Sequence, residues 1–280
     1  MMDATEMKAA LEQDGYFVCQ GLFSPVEAVT YRDHFMDLRH SGSWPGDFDG
    51  VGATANDPLR AYPRMIHMHR WDPLSLAWVL DPRIAGVLEA ATGASPYAVQ
   101  TMLYFKPPGA RGQALHQDQK YLRAQPGTCV AAWMALDACD EANGCLQVVP
   151  GSHKLPLLCP QRADTTQSFT DVTVPVPADM APVPVLMAPG DVLVFHGLLI
   201  HGSFPNATPD RFRRSLIGHY LTGDVTHVAP FYHPILRMDG SVVELAESPD
   251  GGPCGVLVNR DGAQQIEMRE EAALLGPEHE

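Results

Sequence analysis

Two textures of apolar and polar positions divide this chain, a helical period near its start and a strand-like alternation from Tyr97 onward. The first forty residues read as helix, short strand, helix. Ser24-Pro25-Val26-Glu27 marks a helix start, with Ser at the N-cap, Pro at the first helical position and Glu completing a capping box. Val26, Ala28, Val29, Tyr31, Phe35 and Leu38 then supply a broad apolar face. Residues 41–60 are rich in turn formers and predict a loop. Residues 74–80 and 84–91 carry helical patterns, divided by Asp81-Pro82.

From Tyr97 the pattern predicts short strands at 97–106, 128–136, 145–149, 171–176, 192–200 and 215–222. Pro107-Pro108-Gly109, Asn143-Gly144, Pro150-Gly151 and Pro189-Gly190-Asp191 separate them as turns. Repeated short strands punctuated this way predict a mainly β protein with flanking helices, an antiparallel sandwich or jelly roll. The proline-bearing stretch 160–189 predicts a lid or binding loop. The polar, acidic tail from Gln264 to Glu280 predicts a surface helix.

At 280 residues the chain is long enough for one large domain with a substantial core. The expected division is one domain over 1–280: a mostly helical buttress (1–95), a jelly-roll core (96–223) and a C-terminal extension (224–280). A net charge of −14 argues against nucleic acid or an anionic membrane surface, since both need a basic face. It mildly favours a neutral or cationic small molecule, bound by a monomer or homodimer. No run of 18 apolar residues exists, and the amino terminus lacks a basic-then-apolar leader, so the expected location is the cytoplasm. The six cysteines form no Cys-x-x-Cys pair and are expected to be reduced, several as small core residues.

The chemistry concentrates in His116-Gln117-Asp118, followed 83 residues later by His201-Gly202-Ser203. Residues i and i+2 of a strand point the same way, so His116 and Asp118 can grip one ion together. With His201 they make two histidines and one carboxylate on one face of a metal, the ligand set of non-haem Fe(II) oxygenases. His-x-Asp alone is weak, and any one of the twelve histidines is more often a hydrogen-bonded core or surface residue than a ligand. His196 competes with His201 on the same apolar run, but five residues apart on a strand puts the two on opposite faces. Gly202-Ser203 after His201 allows close approach of backbone or cofactor, which favours His201.

Arg211, Arg213 and Arg214 cluster at the start of an apolar strand in an otherwise acidic protein. The bland reading is a solvated basic turn. The sharper one is a guanidinium forked onto a carboxylate co-substrate. Gln100 and Met102 share a face of one strand and Trp133 lies inside another, where core packing is the default for Met and Trp.

The chain resembles the phytanoyl-CoA dioxygenase family of Fe(II)/2-oxoglutarate oxygenases, to which ectoine hydroxylases also belong. The matching pieces are Gln100-Thr101-Met102-Leu103-Tyr104-Phe105-Lys106-Pro107-Pro108, Leu115-His116-Gln117-Asp118 and Ala132-Trp133-Met134-Ala135-Leu136. They continue through Asn143-Gly144-Cys145-Leu146-Gln147-Val148-Val149-Pro150-Gly151-Ser152-His153, His201-Gly202-Ser203 with Asn206, and Arg213-Arg214. The resemblance is densest over 97–222. It implies a double-stranded β-helix, a cupin-like jelly roll. It also implies His116, Asp118 and His201 as iron ligands and Arg213 as the anchor for the far carboxylate of 2-oxoglutarate. Gln100, Met102, Trp133 and Ser203 would line the co-substrate pocket. Arg213 stands twelve residues after His201 where eleven is usual, an extra residue that the Pro209-Asp210 turn would absorb.

The reaction so implied is hydroxylation of a small molecule at an unactivated C–H bond, using O2 and releasing succinate and CO2. A carboxylate at 118 leaves no ligand position for halide, which disfavours halogenation. Two other classes stay open: a non-catalytic jelly roll that binds 2-oxoglutarate or another ligand, and a Zn(II) hydrolase on the same three ligands. Candidate substrate contacts are Arg64, Met65, His67, His69, Gln119, Tyr121 and the 160–182 loop. For each of them a core or surface role is the alternative. No coenzyme A site is evident.

Overall fold

In the computed structural model, which describes residues 2–260 and 262–270, helices cover one face of a large antiparallel sheet and a small sheet faces the other. The large sheet runs Tyr16–Cys19, Val192–His196, Cys129–Ala135, Ser215–Thr222, Pro96–Tyr104, Ile235–Arg237 and Val242–Val243, with Met65–Ile66 also paired to Pro96–Tyr104. The small sheet runs Gln113–His116, His201–Ser203, Leu146–Val148 and Val183–Val185. This is the expected jelly roll.

Alternation along the central strand Ser215–Thr222 builds two separate cores. Leu216 lies between Leu103 and Met134 and packs outward with Phe35, Trp78 and Leu88 of the helical layer. Ile217, one residue on, lies between Met102 and Trp133 and packs inward with Leu146 and Val148 of the small sheet. Burying each such side chain contributes roughly 1.5–3 kcal/mol. The inward core is therefore the dry floor of whatever lies between the sheets.

The helices begin where their caps predict. Ser24 Oγ accepts from the Glu27 N–H at 3.2 Å, and Glu27 Oε2 accepts from the Ser24 N–H at 2.8 Å. The inward face of this helix is narrower than the sequence pattern suggests. Ala28 and Phe35, two turns apart, are buried, whereas Val26 and Val29 fall on the solvent side.

Three expectations are corrected. The run 192–200 is not one strand, because it ends at His196 and turns before His201 opens a strand of the other sheet. The tail forms strand Ala263–Glu270, not a helix, paired with Pro253–Arg260 in register Leu257↔Ile266. Gly262 (φ 79°) supplies the left-handed turn between them, and the alternation of Ile266 and Met268 with polar neighbours has a period of two. The predicted helix beyond 270 lies outside the described residues. Finally, the cysteines are not all reduced: Cys159 and Cys254 form a disulfide across 95 residues. A parallel bridge between Leu158 and Gly255 sets Cys159 and Cys254 side by side with their Cα atoms 4.9 Å apart, a pairing that local spacing cannot reveal. Cys19, Cys129, Cys139 and Cys145 are free and buried.

Alkylation in denaturant without reductant is expected to label those four cysteines and leave one linked Cys159–Cys254 peptide by mass spectrometry. Alkylation at Cys159 and Cys254 as well would contradict the link.

Candidate metal centre

The centre is built from a cross-strand pair. His201 lies directly opposite His116 where their strands pair, and the two rings approach to 4.2 Å between centroids. Gly202 makes this closeness possible: a Cβ there would meet the Gln113 carbonyl oxygen at 2.7 Å. Asp118 does not share the strand with His116 as expected. The strand ends at His116, and Asp118 has helical backbone angles at the cap of the short helix Gln119–Leu122. The turn is pinned by Gln117, whose amide donates to Leu198 O at 2.9 Å and whose carbonyl accepts from Leu158 N–H at 2.8 Å. Asp118 Oδ1 thereby stands 3.4 Å from His116 Nε2 and 3.7 Å from His201 Nε2. One ligand atom from each of the three residues lies within 4.8 Å of the others.

Proton positions suit a cation. The carbonyl oxygens of Ala114 and Leu199 lie 2.9 and 3.0 Å from the Nδ1 atoms of His116 and His201, so each Nδ1 carries the proton and donates. Each Nε2 then faces the centre, the orientation that outer hydrogen bonds impose on ligand histidines. Burial, and then the neighbouring His116, push His201 down to about 4, which keeps its imidazole neutral. Burial works against a charge on Asp118. The surrounding imidazoles, His201 and His219 first and then His116, outweigh it and hold the carboxyl well below the usual range. His219 Nε2 lies 3.0 Å from Asp118 Oδ2 and orients that carboxylate. The sequence reading missed His219, although its place in the strand Ser215–Thr222 two residues beyond Ile217 fixes it on the inward face. His196 sits apart, its ring 5.2 Å from His153.

Along the same sheets lies a cationic recess. Arg213 is 2% exposed, donates from Nε to Gly144 O at 3.0 Å and from Nη1 to Ser215 Oγ at 2.9 Å, and lies 5.2 Å over the Trp133 ring. Lys106, 3% exposed and unanticipated from the sequence, donates to the same Gly144 oxygen at 3.3 Å and to Ser203 Oγ at 2.7 Å. Neither cation has a carboxylate partner among the described residues. Arg214 and Arg211 do: each forks onto an acid, Asp137 for Arg214 and Asp140 for Arg211. Burial, and then Arg213, hold Lys106 well below its ordinary range. Arg213 and Lys106 thus converge on one buried carbonyl oxygen.

The remaining expected residues divide. Gln100, Met102, Trp133 and Ser203 are buried on inward-facing positions. Tyr121 stands beside the triad, 6.2 Å from His116. Met65 faces away, paired with Leu103 in the helical-side core. Gln119 closes its own loop, donating to Ala124 O and accepting from Thr128 Oγ1. Segment 160–182 runs along the edge of the strand Gln113–His116, where Val174 N–H donates to Leu115 O. Arg64 stacks over Phe48 at 4.6 Å.

A jelly roll with two histidines and one carboxylate between its sheets defines a metal-dependent dioxygenase class of fold and site. The chain belongs to the phytanoyl-CoA dioxygenase family, whose model matches residues 11–215. It is 33% identical to the peroxisomal phytanoyl-CoA dioxygenase of Rattus norvegicus over 259 residues, covering 88% of this chain and 76% of that protein. It is 34% identical to the Homo sapiens peroxisomal enzyme, covering 80% and 70%. The match to phytanoyl-CoA dioxygenase 1 of Oryza sativa, 33% identical, spans 51% of each chain. Among solved structures it resembles the epimerase SnoN in complex with Fe3+, alpha ketoglutarate and nogalamycin RO (TM-score 0.63, 23% identity, 80% and 85% covered). It also resembles EctD from S. alaskensis with 2-oxoglutarate and 5-hydroxyectoine (TM-score 0.60, 22% identity, 79% and 76% covered). These likenesses are of fold.

Asp118→Ala and His201→Ala are expected to abolish stoichiometric Zn(II) binding in equilibrium dialysis, whereas His196→Ala retains it. His219→Phe is expected to weaken metal binding about 10- to 100-fold, the usual cost of losing an outer hydrogen bond to a ligand. Unchanged affinity in His219→Phe would remove that role.

Proposed function

We propose that this protein is an Fe(II)- and 2-oxoglutarate-dependent dioxygenase that hydroxylates a small-molecule metabolite at an unactivated C–H bond. The observation that carries the reading is the buried pair Lys106 and Arg213, without an acid partner among the described residues, at one end of a metal-ligand triad. A hydrolytic zinc centre has no use for such a recess. A keto acid with a second carboxylate fits both places.

His116, Asp118 and His201 would hold Fe(II), and Arg213 would take the far carboxylate of 2-oxoglutarate through its guanidinium. Lys106 would add charge and orient Ser203 Oγ toward the same group. With its co-substrate the metal supplies the oxygen chemistry, yielding succinate and CO2. Trp133, Met102 and Ile217 keep water from the recess, which strengthens the ion pairs inside it. Asp118 keeps its ligand position filled, so hydroxylation is favoured over halide transfer. Among the described residues no helix is long and apolar enough to cross a membrane. The proposed setting is cytoplasmic, with the chain a monomer or homodimer acting on a small molecule. The Cys159–Cys254 link is then an exception in a compartment that keeps thiols reduced.

Arg213→Ala should raise the 2-oxoglutarate requirement by about a hundredfold or more, since leaving a buried charge unpaired costs about 3–5 kcal/mol and ~1.4 kcal/mol is tenfold. Lys106→Met should raise it about tenfold to a hundredfold, the worth of one charged hydrogen bond. Arg214→Ala, whose partner is Asp137, should barely change it. A titration in which Arg214→Ala is the costly variant would move the anchor. Succinate should form with Fe(II) and not with Zn(II), which binds such ligands but has no redox chemistry. Turnover supported by Zn(II) alone would overturn the oxygenase reading.

A further inference from the structure

Arg64 stands on the inward side of the large sheet. The strand Met65–Ile66 pairs with Pro96–Tyr104, Met65 opposite Leu103 and Ile66 opposite Met102. Met65 packs into the helical-side core and Ile66 against the inward one, so alternation returns Arg64 to the inward face. Its backbone is fixed there by Phe48: Arg64 N–H donates to Phe48 O at 2.8 Å and Phe48 N–H to Arg64 O at 3.1 Å. The guanidinium lies 4.6 Å over the Phe48 ring. Arg64 and Phe48 line one cavity with Tyr104 and Phe169, whose rings are 5.9 Å apart. Tyr104 also packs against the inward core, so this cavity adjoins the space between the sheets. Two other expected contacts are turned away. His69 Nδ1 lies 2.9 Å from Thr101 Oγ1, on a residue that alternates with the inward Gln100 and Met102, and His67 packs on Phe231 at 4.8 Å.

The Arg64 guanidinium has no acid. Arg111 pairs with Asp57, Arg211 with Asp140 and Arg214 with Asp137. Among the described residues no carboxylate or carbonyl bonds the Arg64 side chain, and its Nε is buried without a partner. A buried donor left unmet asks for an acceptor from outside the chain. Two phenols stand near it. Tyr121, whose ring is 6.2 Å from that of His116, packs with Tyr232 in one apolar cluster, and neither hydroxyl makes a hydrogen bond among the described residues. Burial first, then Asp118 and Tyr104, raise the Tyr121 hydroxyl, while Arg64 pulls it the other way. Burial, then Asp118, Cys129 and Tyr121, do the same to Tyr232, again against Arg64. Each hydroxyl is thus in electrostatic reach of both the ligand carboxylate and Arg64.

We propose that Arg64 is the substrate anchor of this site and takes an oxyanion, a carboxylate or phosphate, carried by the molecule that is oxidised. A guanidinium offers two parallel N–H donors that match either group, and Phe48 beneath it holds the fork in place. An ammonium would meet like charge, and an uncharged molecule would leave the buried Nε–H unmet. The substrate is accordingly an acid, not the neutral or cationic molecule that a net charge of −14 favours. The local cation outweighs the total because salt screens exposed charges beyond about 8–10 Å. This rests on the oxygenase reading, since it concerns the molecule oxidised.

The test is calorimetric titration of protein loaded with Zn(II) and saturated with 2-oxoglutarate, using hexanoate, hexyl phosphate and hexylammonium. One of the two anions is expected to bind, the tighter naming the group, and hexylammonium is not. Arg64→Leu should weaken that anion about tenfold or more, the worth of a charged hydrogen bond, and Arg64→Lys less, with 2-oxoglutarate affinity unchanged in both. In 15N-arginine-labelled wild type the Nε–H signal of Arg64, identified by its loss in Arg64→Lys, should shift as the anion binds. An unmoved signal, or anion binding that survives Arg64→Leu, would overturn the anchor. So would the absence of anion binding in a sample that holds metal and 2-oxoglutarate, or 2-oxoglutarate affinity that falls in Arg64→Leu and returns in Arg64→Lys. If wild type fails to bind 2-oxoglutarate while the anion still shifts Arg64, the oxygenase reading falls and the acid site stands.

Discussion

The pairing of His201 with His116 across two short strands is the contact on which the rest of the site depends. It exists because Gly202 has no side chain to strike the Gln113 carbonyl. The same register sets Ser203 two residues further along, within reach of Lys106. One backbone approach thus positions two ligand atoms and the near edge of the anion recess. Asp118 comes from the turn that follows, pinned by the Gln117 side chain. A larger residue at 202 would open the strand pair and disperse all of these groups together.

The cleft between the sheets is electrically graded. At one end the buried Lys106 and Arg213 share a carbonyl oxygen, with no acid partner among the described residues. In the middle a carboxylate is held ionised beside the neutral imidazole of His201. Beyond it, His219 Nε2 lies 3.0 Å from the second oxygen of that carboxylate. The unfavourable parts of this arrangement are tolerated because the sheets carry two hydrophobic cores, one on each face of the large sheet.

Much of this was legible in the sequence, for reasons that can be stated residue by residue. The jelly roll follows from short alternating runs and their turns, and the triad from residue types that have few other uses together. The resemblance singled out Arg213 among the three arginines; Arg214 and Arg211 each fork onto an acid, and Arg213 has none among the described residues. Other features required three dimensions. Asp118 reaches the centre from a helical turn, so the i, i+2 argument reached a correct residue by a wrong path. His196 and His201 were separated by strand parity, whereas a turn separates them. Lys106 looked like any lysine before a proline, and only its burial beside Gly144 gives it meaning. Met65 and Gln119 carried plausible chemistry but point elsewhere. The Cys159–Cys254 link joins segments 95 residues apart and leaves no local signature.

The central claim is that metal triad and cation recess together hold one keto dicarboxylic acid. Anaerobic titration of 2-oxoglutarate into the Fe(II)-loaded protein, followed by the visible charge-transfer band of the chelate, tests it most directly. The account predicts a band that saturates at one 2-oxoglutarate per chain and is absent when Asp118→Ala replaces the wild type. Fe(II)-loaded protein that gives no band at saturating 2-oxoglutarate would contradict it.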